Sequence, residues 1–198
     1  MLINVRRAEH KEHTHQALLA AARQMIATRG FAATTAREVA ETAGVAVGTV
    51  FVHFPTMGRL AETLLDETVG QALDQAGDPP GDDLVEQLLH VSLALFAAYR
   101  ADPELSRQVL SAALFEAAPD GPSARRMAEF ATWVTSRVEA AVTAGQIEPI
   151  PPREAFAVFF ALYFGALVLG LRGELDADGQ IDLLGRTLRR TFRPAVAA

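Results

Sequence analysis

Apolar residues recur along this chain at three- and four-residue spacing, the period of helices with one buried face, and the β-branched clusters are too short to form strands. Glycine and proline interrupt the pattern at Gly30, Gly44, Pro55, Gly77 to Gly81, Pro103, Pro119 to Pro122, Gly145 to Pro152 and Gly173 to Gly179. The stretches between them predict nine helices, at about 10–29, 35–42, 46–52, 56–76, 82–100, 103–117, 122–144, 152–172 and 178–192. The expected fold class is all-α.

Residues 34–54 carry the most specific pattern. Thr35 can cap a helix by accepting an unpaired backbone N–H, and Glu38 three residues on completes a capping box. Val39, Ala40 and Ala43 then share one face, and Gly44 stands where the chain needs a left-handed residue to stop and turn. Val45 plugs that turn. In the short helix that follows, Val50 and Phe54 point inward, which leaves Ala46, Val47, Thr49 and Phe51 on the opposite side. Small residues at the start of such a helix let its backbone approach a DNA groove, so the segment reads as a helix-turn-helix.

An amphipathic stretch from Ala17 through Met25, Ile26, Gly30 and Phe31 precedes this unit, and Phe54-Pro55-Thr56 closes it. With Arg29-Gly30-Phe31, Thr34-Thr35, Glu38-Val39-Ala40, Ala43-Gly44-Val45, Gly48-Thr49 and His53-Phe54-Pro55 in this order, residues 17–65 resemble the DNA-binding domain of TetR-family transcriptional regulators. The resemblance implies a helix-turn-helix head over residues 1–55 and a ligand-binding and dimerisation body over 56–198, with the fourth helix as connector. It also implies that Thr35, Thr49 and His53 reach phosphates and that Ala46, Val47 and Gly48 lie near base edges. Phe51 would touch a sugar or a thymine methyl, and Arg37 a phosphate or base. Departures from the family pattern remove charge and donors: Ala46 and Val47 replace a common serine-lysine pair, Phe51 a tyrosine and Met57 a lysine. A shallow salt dependence of binding is therefore expected.

Charge agrees with this polarity. Residues 1–60 hold seven Lys/Arg against four Asp/Glu, whereas the rest of the chain holds eleven against twenty. An acidic protein can bind nucleic acid through a basic end. The chain has no cysteine, which removes disulfides and thiolate metal sites. Its first ten residues lack an apolar core before their charges, so no secretory signal is expected and the predicted location is cytoplasmic. His10, His13 and His15 follow Arg6 and Arg7, and the stretch reads as a mobile basic arm or a frayed helix start rather than a metal site. Ala155 to Leu171 carries no charge, but 17 residues fall short of the roughly 20 a bilayer requires. A buried or subunit-interface helix is expected there, with no membrane partner.

The body offers a candidate pocket in Phe96, Tyr99, Leu110, Leu114, Phe115, Met127, Phe130, Trp133, Arg137, Phe159 and Tyr163, with His90, Arg100 and Glu116 as further polar groups to orient a ligand. Ala157, Ala161 and Gly165, four apart, form a smooth strip for a second helix, and Leu184 and Leu188 follow in the last helix. In the family such final helices pair across a two-fold axis. The expected partners are double-stranded operator DNA, a small apolar or aromatic effector and a second copy of the chain. No catalytic set, phosphate loop or metal motif is present in the sequence, so neither enzyme activity nor a cofactor is expected. The reading is a repressor released from a palindromic operator by its ligand. The alternative is a helical protein-interaction module with a weakened DNA-binding head.

Overall fold

A computed structural model describes residues 2–115 and 121–194. Among these residues the regular structure is helical: α1 (Leu2–Arg29), α2 (Ala36–Thr42), α3 (Val47–His53), α4 (Met57–Ala76), α5 (Leu84–Ala101), α6 (Pro103–Phe115), α7 (Pro122–Thr143), α8 (Pro152–Leu171) and α9 (Ala177–Thr191). The expected order holds throughout. The largest departure is α1, which starts at Leu2 rather than near residue 10. The supposed arm has no apolar stripe to reveal it, but it is rich in good helix formers and continues an anchored helix, so propagation costs little. Side-chain bonds within it follow the helical repeat, Thr14 Oγ1 to His10 O at 2.9 Å and Gln16 Nε2 to Glu12 Oε1 at 3.0 Å.

The chain divides into two compact units. The first comprises residues 1–65 with 104–121, and the second residues 66–103 with 122–198. The boundary expected after residue 55 thus falls inside the first unit, and α6, expected in the body, lies almost wholly within that unit. α4 begins in one unit and ends in the other.

In the first unit, Leu18, Leu19, Ala22 and Ile26 of α1 close over Val39 and Ala40 of α2, Val50 of α3, Phe54, and Leu60 and Leu64 of α4, all buried. The polar side chain of Thr34 is accommodated because its hydroxyl donates to Gly30 O at 2.9 Å.

In the second unit, α8 packs on α9, α7 and α5, and α9 also packs on α5. Leu84, Leu88, Leu95 and Phe96 meet Val134, Val138, Phe159, Leu167, Leu184 and Leu188 in its core. Gln180, fully buried on α9, accepts from Arg100 Nη1 at 2.5 Å and donates to Ala166 O at 2.9 Å, so one amide ties three helices. A Cβ at Gly170 would lie 2.1 Å from the amide nitrogen, so a side chain there would push this amide out of its bonds. Arg126 of α7 grips α4 with Nε to Asp66 Oδ1 at 2.6 Å and Nη2 to Asp66 O at 3.1 Å. The missing side chain of Gly70 makes room for that guanidinium, whose Nη2 lies 3.3 Å from where a Cβ would sit.

Candidate nucleic-acid interface

The expected capping box is present. Thr35 Oγ1 accepts from Glu38 N at 3.4 Å, and Thr35 N donates to Glu38 Oε2 at 3.1 Å. The Thr35 hydroxyl also donates to the same carboxylate at 2.6 Å, while Arg29 holds its other oxygen at 2.9 Å. These contacts, the Thr35 hydroxyl foremost, lower the Glu38 pKa. Gly44 adopts φ 71°, and the turn closes through Val45 N to Ala40 O at 2.9 Å and Gly44 N to Glu41 O at 3.2 Å. α2 is thereby stopped and α3 launched in a fixed direction.

α3 is sharply two-sided. Val50 is 0% exposed and Phe54, which caps the helix, 1%, whereas Val47, Phe51 and Val52 are 39%, 47% and 75% exposed. Ala46 and Gly48 also face solvent, and Thr49 is half-buried at the edge. Arg37 and Thr35 are exposed at the start of α2. The residues assigned to DNA from sequence therefore lie on the two short helices of the motif or at their N-caps, with Val50 and Phe54 behind them as core. Val52, not singled out from the sequence, is exposed on the same helix face as Gly48, four residues before it.

His53 sits at the end of α3 against α1, its ring 5.7 Å from that of His15, which stacks on Phe54 at 4.7 Å. Partial burial, then the charges of His15 and Lys11, lower the His53 pKa, with Glu12 opposing them. The shift favours the uncharged ring, which keeps one N–H donor. His15 was read from sequence as part of the arm; only the packing of α1 across Phe54 reveals its place. Among the described residues no group of three or more His, Asp or Glu side chains could hold a metal ion.

In the second unit the aromatic candidates gather partly as expected. Tyr163 stacks on Phe96 at 5.3 Å and on Phe159 at 6.0 Å, and Phe130 meets Phe159, Tyr163 and Trp133 at 5.8, 6.0 and 6.5 Å. Arg137 lies over the Trp133 ring at 5.4 Å. Burial raises the pKa of the Tyr99 phenol, and that of Tyr163 more strongly, so both remain neutral hydrogen-bonding groups. Leu114 and Met127 are 55% and 40% exposed, and Leu110 is half-buried in the first unit. The Phe115 side chain and Glu116 lie outside the described residues. His90 contacts Ala76 O at 3.1 Å and Arg100 is held by Gln180, so neither turns toward the aromatic rings as a free polar group. A cleft of about 190 Å³ elsewhere in this unit lies between Asp83, Ile147, Arg189 and Phe192.

Of the proposed strip, Ala157, Ala161 and Gly165 are all exposed on α8. Leu184 and Leu188 are not available to a partner: they are 1% and 0% exposed, because that side of α9 faces α5 and α8 of its own chain. α8 itself is 20 residues long, three more than its uncharged run, and by length and composition alone could cross a membrane. A third of its most apolar stretch is buried inside the chain.

A capped short helix, a left-handed glycine turn and a second short helix with an open outer face define a helix-turn-helix protein. Residues 18–64 match the model for bacterial regulatory proteins of the tetR family. This segment, about a quarter of the chain, is similar to the DNA-binding part of that family. An uncharacterised HTH-type transcriptional regulator of Bacillus subtilis, YvkB, is 35% identical over 85 residues, 41% of this chain and 43% of that relative. The overall fold is shared with a TetR-family regulator from Rhodococcus sp., at TM-score 0.66 and 22% identity over 92% of this chain and 100% of that one. It is also shared with RolR, solved with resorcinol, at TM-score 0.66 and 19% identity over 93% and 90% of the two chains.

Proposed function

We propose that this protein is a homodimeric transcriptional repressor that binds a palindromic operator through α3 and releases it when a small apolar or aromatic molecule occupies the body. The observation that carries the reading is the face of α3: three apolar side chains stand in solvent on a helix whose other side is locked by Val50 and Phe54, inside the segment that matches the family. Thr35, Thr49 and His53 would contact phosphates, with Arg37 beside them, and Ala46, Val47, Gly48 and Phe51 would meet base edges. The DNA-binding head is residues 1–55, and the protein works in the cytoplasm where operators are accessible.

The exposed Ala157, Ala161 and Gly165 supply a smooth surface on α8 for the same helix of a second copy, and two-fold dimers match two-fold operators. The aromatic core around Phe130 and Trp133 is the candidate effector region, supported by the resorcinol found in a protein of the same fold. α4 would transmit the effect, since it runs from the first unit into the second and is held there by Arg126. A ligand that displaces α4 must weaken DNA binding, and DNA must weaken ligand binding by the same factor.

Thr49→Ala and His53→Ala test the site assignment. Both should weaken binding to a selected duplex while leaving helicity and the dimer unchanged. Undiminished binding in both variants would overturn it, and failure of the parent to retain any duplex at low salt would favour the interaction module.

A further inference from the structure

From Thr42 to Val52 the chain has eleven consecutive residues without a charge or an amide side chain. These residues supply the turn and nearly all of α3. Val47 and Phe51 are four apart and Gly48 and Val52 are four apart, so the four form one continuous face. Val47, Phe51 and Val52 stand well out of the fold, and a Cβ at Gly48 would meet nothing within 4 Å, which leaves a shallow depression among them. On α3 before His53, Thr49 alone carries a side-chain hydrogen-bonding group.

A base pair presents two kinds of feature to such a face in the major groove: donors and acceptors, which need polar partners, and the thymine C5-methyl, which needs an apolar one. Apolar side chains cannot read the first kind. We infer that α3 recognises its operator mainly by packing Val47 and Phe51, flanked by Val52, against C5-methyl groups of thymines, so that pyrimidine methylation rather than hydrogen-bond pattern sets specificity there. This rests on the DNA-binding reading above. The occupant is duplex DNA rather than another protein because three side chains on a seven-residue helix offer far less than the roughly 800 Å² per partner of a stable protein interface. Residues 1–60 also carry an excess of positive charge suited to a polyanion. 5-Methylcytosine presents its methyl at the equivalent pyrimidine position, so the same face should accept it in place of thymine.

The test uses the full-length protein and a duplex selected by it from a random pool. That duplex is remade with deoxyuridine for thymine in both half-sites, which deletes the methyls and keeps every pairing and hydrogen-bonding edge. Affinity should fall about fourfold for each contacted methyl, the effect of burying one such group. In Val47→Ala and Phe51→Ala, which alter exposed side chains and should fold normally, the thymine-to-deoxyuridine ratio should shrink toward one. Replacing a contacted thymine by cytosine should weaken binding, and 5-methylcytosine at that position should restore part of it. Equal affinity of the parent for thymine and deoxyuridine duplexes would overturn methyl recognition and leave DNA binding intact. A ratio unchanged in both variants would assign the methyl effect to DNA shape and equally overturn the role of this face. No retention of any duplex would overturn the DNA-binding reading itself and this inference with it.

Discussion

Ala161→Glu is the sharpest perturbation of the assembly. Ala161 is exposed on α8, so in an isolated chain the new carboxylate points into water and folding stability should change by no more than about 0.5 kcal/mol. In a dimer built on the strip, the same group is buried without a partner, a cost of about 3–5 kcal/mol where no compensating cation exists. Two-fold symmetry places both carboxylates at one interface. Since about 1.4 kcal/mol is tenfold, the dissociation constant should rise by at least about a hundredfold. Gly165→Ala gives a second handle because, among the described residues and apart from its own helical turn, nothing lies within 4 Å of its Cβ position. A free helix should gain about 1 kcal/mol from that change, whereas helices about 8 Å apart would lose contact. Sedimentation velocity at micromolar concentration reads the dimer, and circular dichroism reads the fold. An Ala161→Glu protein with the parent's dissociation constant, or a parent that is monomeric, would refute the interface.

Three further outcomes follow. Thr35→Ala removes the α2 cap and should cost about 1 kcal/mol, lowering the melting temperature by about 2–4 °C; an unchanged melting curve would contradict the capping argument. His53 has a pKa lowered below its ordinary 6.5, so the unfolded chain binds that proton more readily, and its contribution to stability is present above pH 6.5 and lost as pH falls below it. The groups facing it are Lys11, Glu12 and His15 of α1, and His53→Gln should flatten the acid-side decline in thermal melts. Aromatic effectors should alter Trp133 fluorescence, because its ring stacks on Phe130 and lies under Arg137; tight binders of the body that leave operator affinity unchanged would refute the coupling.

Local chemistry was legible in the sequence where neighbours in the chain are also neighbours in space. Thr35 with Glu38, Gly44 after Ala43, and Val50 with Phe54 each obey a short spacing rule, and each appears as expected. The start of α1 was hidden because its helix needs no apolar stripe. Leu184 and Leu188 have the same periodicity whether they face a partner or their own α5 and α8, so spacing alone could not tell an interface from a core. The partnership of His15 with His53 and of Arg126 with Asp66 spans 38 and 60 residues respectively and depends on tertiary packing. The approach of the Arg126 guanidinium to Gly70, 3.3 Å from where a Cβ would sit, likewise has no signal in the spacing of α4.

Selection of duplexes from a random pool by the full-length protein is the decisive measurement for operator binding through α3. The expected result is enrichment of an inverted repeat whose half-site centres lie about one helical turn, roughly 34 Å, or a multiple of it apart, and loss of that enrichment with Thr49→Ala and His53→Ala. Recovery of no common sequence, with no duplex retained even at low salt, would contradict it.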